Sequence, residues 1–60
     1  MPQQRSEETR ARILDAAVRR FAVVGYDGAS VDDICSEAGV SKGAFYHHYP
    51  TKQAIFLALM

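Results

Sequence analysis

The sequence predicts a small all-α domain built around a helix-turn-helix, and three observations support this. Ser30 and Ser41, eleven residues apart, can each cap the start of a helix. Gly39 can end the intervening helix after only about two turns. A helix that short must pack to be stable, and so short a link suits two steeply crossing helices. We expect helices at about 7–24, 31–38, 42–48 and 52–60.

Length and composition exclude several classes of protein. Sixty residues make one domain, and a domain this small buries only about 60% of its unfolded surface. The single cysteine, Cys35, excludes an internal disulfide and is typical of a reducing compartment. No signal peptide and no membrane-length apolar stretch is present. We therefore expect a cytoplasmic protein with no membrane partner.

Charge is balanced in sum but not along the chain. The formal net charge is zero, which at first argues against nucleic acid, because such domains are often basic. All seven acids lie at or before Glu37, whereas Lys42, His47, His48 and Lys52 follow it. A neutral chain of this kind can still present one basic face.

The first helix has the pattern of a supporting element. Ser6 is its expected N-cap and Gly25 its expected left-handed C-terminal residue. Tyr26–Ala29 then form a loop. The residues before the helix, about 1–6, are interpreted as a mobile arm in which Arg5 either is disordered or contacts a phosphate or a minor groove. The apolar side of the helix consists of Ile13, Leu14, Ala17, Phe21 and Val24.

The second helix begins with a variant of the capping box. Ser30 is followed three residues later by Asp33 instead of the usual Glu. Its inward face is formed by Val31, Ile34, Cys35 and Ala38, and Val40 returns to the core after Gly39. The two small residues, Cys35 and Ala38, lie where the second and third helices must approach closely.

The third helix has an outward face suited to DNA. Phe45 and Tyr49 point inward, so Gly43, Ala44 and His47 lie opposite them. Small residues let a helix lie deep in a major groove, and lysine can bind guanine or phosphate there. The flanking residues are Lys42, Tyr46 and His48. Taken alone, Tyr46, His47 and His48 are equally well explained as ordinary residues of an amphipathic surface.

The sequence contains little that favours metal binding or catalysis. A metal site of His47, His48 and Cys35 is conceivable, but the two histidines are adjacent, so their side chains diverge by about 100° on a helix. No second Cys or His lies at zinc-finger spacing. No nucleophile elbow, phosphate loop or plausible carboxylate pair is present. We expect neither an enzyme nor a bound metal or other cofactor.

The fourth helix is apolar on every side. Pro50 ends the third helix, Thr51 can cap the fourth, and Lys52 with the helix N-terminus could clamp a phosphate. The run AIFLALM leaves Leu57 and Met60 without an evident partner. We expect this helix to continue into, or pack against, something beyond the sequence. The alternative function is a small helical protein-interaction module that uses this apolar face.

Over roughly Thr9–Met60, the sequence resembles the N-terminal DNA-binding domain of the TetR family of bacterial transcriptional regulators. The resemblance is carried by three motifs: Ile13-Leu14-x-x-Ala17-x-x-x-Phe21-x-x-x-Gly25, Ile34-x-x-x-Ala38-Gly39-Val40-Ser41-Lys42-Gly43 and Phe45-Tyr46-x-x-Tyr49-Pro50-x-Lys52. Cys35 stands where the family more often has alanine. Ala44 stands where threonine is common, which could alter a base or phosphate contact.

The resemblance implies a homodimeric repressor that binds double-stranded DNA at a palindromic operator. It also implies a C-terminal domain that dimerises and binds a small-molecule inducer. Carried over by position, the phosphate contacts are Ser30, Val31, Tyr46, His47, Thr51 and Lys52. The residues near base edges are Lys42, Gly43 and Ala44, and the neighbouring Ser41 and His48 complete the predicted DNA-binding set.

Overall fold

The protein is described by a computed structural model that covers the backbone of residues 2–60 and the side chains from residue 6 onward. Four helices follow one another: α1 (Pro2–Gly28), α2 (Val31–Ala38), α3 (Lys42–His48) and α4 (Lys52–Ala58). Residues 2–60 contain no strand. The predicted all-α fold with a helix-turn-helix is confirmed, because α2 and α3 are joined by only three residues.

The first helix begins earlier than predicted. α1 starts at Pro2, so Ser6 lies inside the helix and the prediction that it is the N-cap was wrong. Proline fits the first turn of a helix, where its missing N–H has no intrahelical acceptor, and the glutamines that follow are good helix formers. The arm predicted for about 1–6 is thus helical from Pro2, while Met1 and the Arg5 side chain lie outside the described residues.

α1 also ends differently, because Gly25 interrupts it. Gly25 has φ 79° and ψ 170°, a non-helical conformation inside the helix. The chain then makes one more helical turn to Gly28 where a loop was predicted. The Ala29 N–H donates to the carbonyls of Gly25 (3.1 Å) and Tyr26 (3.3 Å). Val24, predicted to face inward, is 40% exposed.

α2 has the predicted bounds and the predicted caps. The Asp33 N–H donates to the Ser30 hydroxyl at 3.0 Å, and the Ser30 N–H donates to the Asp33 carboxylate at 3.4 Å. These two bonds complete the capping box. At the other end Gly39 is left-handed, with φ 71° and ψ 35°. The Val40 N–H then donates to the Cys35 carbonyl at 3.0 Å, as in a Schellman motif.

α3 and α4 are short and capped in the same way. The hydroxyls of Ser41 and Thr51 accept from the N–H groups of Ala44 (3.1 Å) and Ala54 (3.0 Å). α3 has the predicted bounds, whereas α4 stops at Ala58, two residues before its predicted end.

The core lies where α1 meets the three shorter helices. α1 packs against each of them, and α2 also packs against α3. The cluster of buried residues is formed by Ile13, Ala16, Ala17, Ile34, Cys35, Phe45, Tyr49 and Ile55. Phe45 and Ile55 are fully buried, and each holds its short helix in a fixed rotation about its axis. Phe45 therefore decides which face of α3 is presented outward.

α4 is covered only in part, as its sequence predicted. Ile55 is buried and Leu59 packs against the core, but Leu57 is 58% exposed and Met60 86%. Phe56 is also 38% exposed. Across residues 2–60 the helices are too short or too polar to cross a membrane.

Candidate nucleic-acid interface

The outward face of α3 consists of Lys42, Gly43, Tyr46 and His47, all of which are exposed. Gly43 and His47 lie opposite the buried Phe45. A Cβ built on Gly43 would meet only the Ser41 Oγ, at 3.8 Å, so the surface is open there. The seven residues of α3 rise by about 10 Å, comparable with the roughly 12 Å width of a major groove.

The aromatic and imidazole side chains form the C-terminal half of this face. Tyr46 is 48% exposed, and its ring packs edge-on against Phe45 with centroids 5.4 Å apart. His47 is exposed, whereas His48 is half-buried, and their rings lie 5.1 Å apart. No group of three potential metal ligands occurs among the described residues. The arrangement presents one phenol and two imidazoles as hydrogen-bonding groups.

The predicted phosphate contacts at the helix starts are accessible. The side chains of Ser30, Ser41 and Thr51 are exposed. Each hydroxyl accepts one capping hydrogen bond. A hydroxyl that accepts can still donate its own hydrogen, so capping leaves a donor for a phosphate oxygen. Val31 and Ala44 are half-buried, and Val31 also packs against the core.

Lys42 has a partner on another helix that the sequence pattern did not predict. Its Nζ lies 2.8 Å from the Asp32 Oδ1, and both side chains are well exposed. The hydrogen bond to Asp32, and secondly the charge of this carboxylate, raise the pKa of Lys42 above its ordinary value. The lysine therefore stays charged and is held beside an acid. The sequence feature that could have indicated this partner is Asp32, an acid at the second position of α2.

Lys52 is held against α1. Its Nζ donates to the Tyr26 carbonyl at 2.7 Å and lies 4.2 Å from the centroid of the Tyr26 ring. Lys52 is only half-exposed. The ammonium has three N–H donors, so the bond to Tyr26 does not exhaust its capacity to bind a phosphate. Sequence patterns did not indicate this link, because its residues are 26 positions apart.

Cys35 belongs to the core and not to the interface. Its side chain is only 5% exposed, and its Sγ lies 3.8 Å from the Ser41 carbonyl. Burial, and secondly the nearby charge of Asp32, raise the pKa of the Cys35 thiol. Since the thiolate is the nucleophile and the metal ligand, the raised pKa argues against either role for Cys35.

Comparison with known proteins gives a consistent result. The sequence model of the family described as "Bacterial regulatory proteins, tetR family" matches residues 13–59. YerO, an uncharacterized HTH-type transcriptional regulator of Bacillus subtilis, is 41% identical over 51 residues, which are 85% of this chain and 18% of YerO. An HTH-type transcriptional repressor of Mycobacterium tuberculosis is 48% identical over 50 residues, 83% of this chain and 27% of that protein.

A third relative extends the match almost to both ends of the sequence. UidR of Escherichia coli K12, an HTH-type transcriptional regulator, is 38% identical over 58 residues, 97% of this chain and 30% of UidR. The chain thus spans between 18% and 30% of the length of these relatives. No solved structure matches it.

The family match covers most of the chain, and it includes the whole helix-turn-helix with its capped α2, its Gly39 turn and its exposed α3. The family is described as bacterial regulatory proteins, and YerO and UidR are named HTH-type transcriptional regulators. The chain belongs to the tetR family of bacterial regulatory proteins.

Proposed function

We propose that this protein is a ligand-responsive repressor whose α3 enters the major groove of a palindromic operator. The observation that carries the proposal is the outward face of α3, where exposed Lys42, Gly43, Tyr46 and His47 surround an open surface. The buried Phe45 holds that face in place. A preset face needs no rearrangement before it docks, so little ordering free energy is lost on binding.

The proposed contacts divide into two kinds. Lys42, Gly43 and Ala44 lie in the first turn of α3, the part of a recognition helix that reaches base edges. Contacts to phosphates set the register of the protein without reading sequence. We assign that second role to Ser30, the Val31 N–H, Ser41, Tyr46, His47, His48, Thr51 and Lys52.

The small size of this interface supports a dimer bound to a palindromic operator. One seven-residue helix reaches only a few base pairs, so two copies on adjacent half-sites are needed for tight and selective binding. The matched segment makes up only 18% of YerO and 30% of UidR, so these relatives contain a further region. We propose that such a further region dimerises the protein and binds a small-molecule inducer. One relative is named a repressor, which favours repression over activation.

Salt dependence tests DNA binding against the alternative function. The exposed Leu57 of α4 and the exposed Met60 that follows the helix favour a protein-interaction module as that alternative. Binding to duplex DNA through several phosphates should weaken by orders of magnitude between about 50 and 200 mM salt. An apolar protein contact should barely respond. Fluorescence anisotropy with labelled duplexes measures this slope, and a flat slope would count against the DNA-binding proposal.

A substitution on the outward face of α3 tests the geometry. Gly43→Glu adds a negative side chain where the surface is open, so it should abolish DNA binding while the helical circular dichroism spectrum is kept. Gly43→Ala is the matched control and should retain most of the affinity. Full binding by a folded Gly43→Glu variant would show that this face does not contact DNA.

A further inference from the structure

The ion pair between Asp32 and Lys42 joins the first turn of α2 to the first turn of α3. The Lys42 Nζ and the Asp32 Oδ1 are 2.8 Å apart, with side chains 60% and 70% exposed. Ion pairs this exposed contribute little to stability. The fold does not depend on the pair for its core, so the pair is open to a role on the outside of the molecule.

Both partners keep most of their hydrogen-bonding capacity. An ammonium has three N–H donors, and a carboxylate has about four acceptor positions. The contact between Lys42 and Asp32 uses one of each. The remaining N–H groups of Lys42 and the remaining acceptor positions of Asp32 lie side by side, next to the exposed Gly43 at the start of α3. A ligand that presents an acceptor beside a donor would match them.

We propose, on the basis of the proposed function, that Asp32 and Lys42 together read one G·C base pair in the major groove. Lys42 donates to the O6 and N7 of guanine, and Asp32 accepts from the N4 amino group of cytosine. Within the base pair these O6 and N4 atoms are hydrogen-bonded to each other, about 2.9 Å apart. That spacing is close to the 2.8 Å between the Lys42 and Asp32 atoms.

The order of groups in the groove separates G·C from the other pairs. From guanine to cytosine it is acceptor, acceptor, donor, so Lys42 can share two acceptors while Asp32 meets the donor. A T·A pair also places an acceptor beside a donor. There, however, the thymine methyl crowds the lysine and the adenine N7 repels the carboxylate. A lysine alone would bind guanine, thymine or a phosphate. The presence of Asp32 beside Lys42 restricts binding to the G·C pair.

Asp32 also acts against wrong DNA. Away from a cytosine amino group its carboxylate neutralises Lys42 and is repelled by the phosphates, so non-specific sites are penalised. α2 and α3 together carry three acids, Asp32, Asp33 and Glu37, and only one lysine, Lys42. Pairing with Asp32 therefore neutralises the only lysine of these two helices wherever no cytosine amino group is present. Removing Asp32 should therefore tighten non-specific binding while it relaxes the choice of base.

The test is selection of binding sites from a random pool of double-stranded DNA, done with the unaltered protein and three variants. The unaltered protein should enrich sites with G·C at one position of each half-site. Asp32→Ala and Lys42→Met should both lose preference at that same position, by about tenfold or more. Asp32→Ala should in addition bind unrelated duplex more tightly. Glu37→Ala is the control, since it removes one acid from α2 but leaves Lys42 and Asp32 intact, and its base preference should be unchanged.

A second measurement does not depend on the variants. The unaltered protein is titrated with its best selected duplex and with duplexes in which that G·C pair is replaced by each of the other three pairs. Equal affinity for all four pairs, or an unchanged preference in Asp32→Ala, would overturn the joint reading while leaving DNA binding in place. Failure of the unaltered protein to enrich any sequence would overturn the proposed function as well.

Discussion

Gly25 has a backbone conformation that residues other than glycine rarely adopt. Its φ of 79° and ψ of 170° lie in a region that is essentially restricted to glycine. Gly25→Ala should therefore lower the free energy of unfolding by about 1–3 kcal/mol. No atom would obstruct the added Cβ, so the cost would come from the backbone alone. Urea denaturation followed by circular dichroism measures it.

The control for this prediction is Gly43→Ala. Gly43 lies in the regular helix α3, where alanine is favoured over glycine by up to about 1 kcal/mol. The same change of residue should thus destabilise at Gly25 and leave stability equal or higher at Gly43. Equal effects at the two positions would contradict the assignment of backbone strain to Gly25.

Cys35 gives stability a pH dependence at the alkaline end. Burial and Asp32 raise the pKa of the folded thiol above its ordinary value of 9.0. As pH rises past this value, the unfolded thiol loses its proton before the folded one, so the unfolded state binds fewer protons and stability falls. The contribution is complete below pH 9 and is lost above it.

Cys35→Ala should remove this contribution while keeping a small apolar side chain in the core. Urea midpoints of the unaltered protein and of Cys35→Ala, compared at pH 7.5 and at pH 10, isolate the thiol from other titrating groups. The unaltered protein should lose more stability than the variant over this interval. A parallel decline in both would show that the thiol does not titrate differently on folding.

α2 depends on its caps more than a longer helix would. It has only eight residues, and helices this short are unstable in isolation. Ser30→Ala removes the acceptor for the Asp33 N–H and should cost about 1 kcal/mol of stability. Thermal unfolding measures the loss. Ser36→Ala, in the middle of the same helix, is the matched control and should be neutral or slightly stabilising, since alanine is the better helix former.

The same caps explain why α2 and α3 could be predicted from sequence to the residue. The caps form hydrogen bonds to residues only a few positions away in the sequence, as seen at Ser30, Gly39 and Ser41. Their effect can therefore be predicted from the local sequence. The start of α1 was predicted wrongly because Pro2 is compatible both with a tail and with a first helical turn. Gly25 was expected to be the left-handed residue that ends α1. Its φ of 79° is positive, but its ψ of 170° lies outside the left-handed helical region, and a further helical turn follows it.

Contacts between distant elements were beyond the reach of sequence patterns. The face of α3 that carries Lys42 and Gly43 was predicted, because the buried Phe45 fixes it by helical periodicity. The partner of Lys42 was not, because Asp32 is ten positions away on another helix. Periodicity gives the direction of a side chain on its own helix, whereas pairing across helices depends on how the helices cross.

At the scale of the whole molecule, α1 holds the helix-turn-helix and α4 together, and the far end of α1 meets α4 through aromatic rings. Phe21, Tyr26 and Phe56 pack with centroids between 4.9 and 5.7 Å apart. Lys52 adds its bond to the Tyr26 carbonyl and its contact with the Tyr26 ring. The position of the α4 N-terminus, with the proposed phosphate contact at Thr51, thus depends on the last turn of α1.

Lys52→Met tests this dependence and the phosphate role together. Methionine keeps most of the apolar stem but removes the ammonium, so stability should fall by about 1 kcal/mol or more. Tyr26→Phe, which retains both the ring and the carbonyl, is the control and should unfold at nearly the same urea concentration as the unaltered protein. If Lys52 also binds a phosphate, the variant should weaken binding to all DNA sequences alike and reduce the salt slope by about one.

The two measurements separate the two roles, because a bond within the protein releases no counterions from DNA. Loss of stability with an unchanged salt slope would leave Lys52 as the link between α4 and α1 and remove it from the phosphate contacts. A reduced slope with unchanged stability would mean that the bond to Tyr26 contributes nothing net to the fold. We expect both quantities to fall, because one ammonium N–H is used by Tyr26 and the ammonium has two more to donate.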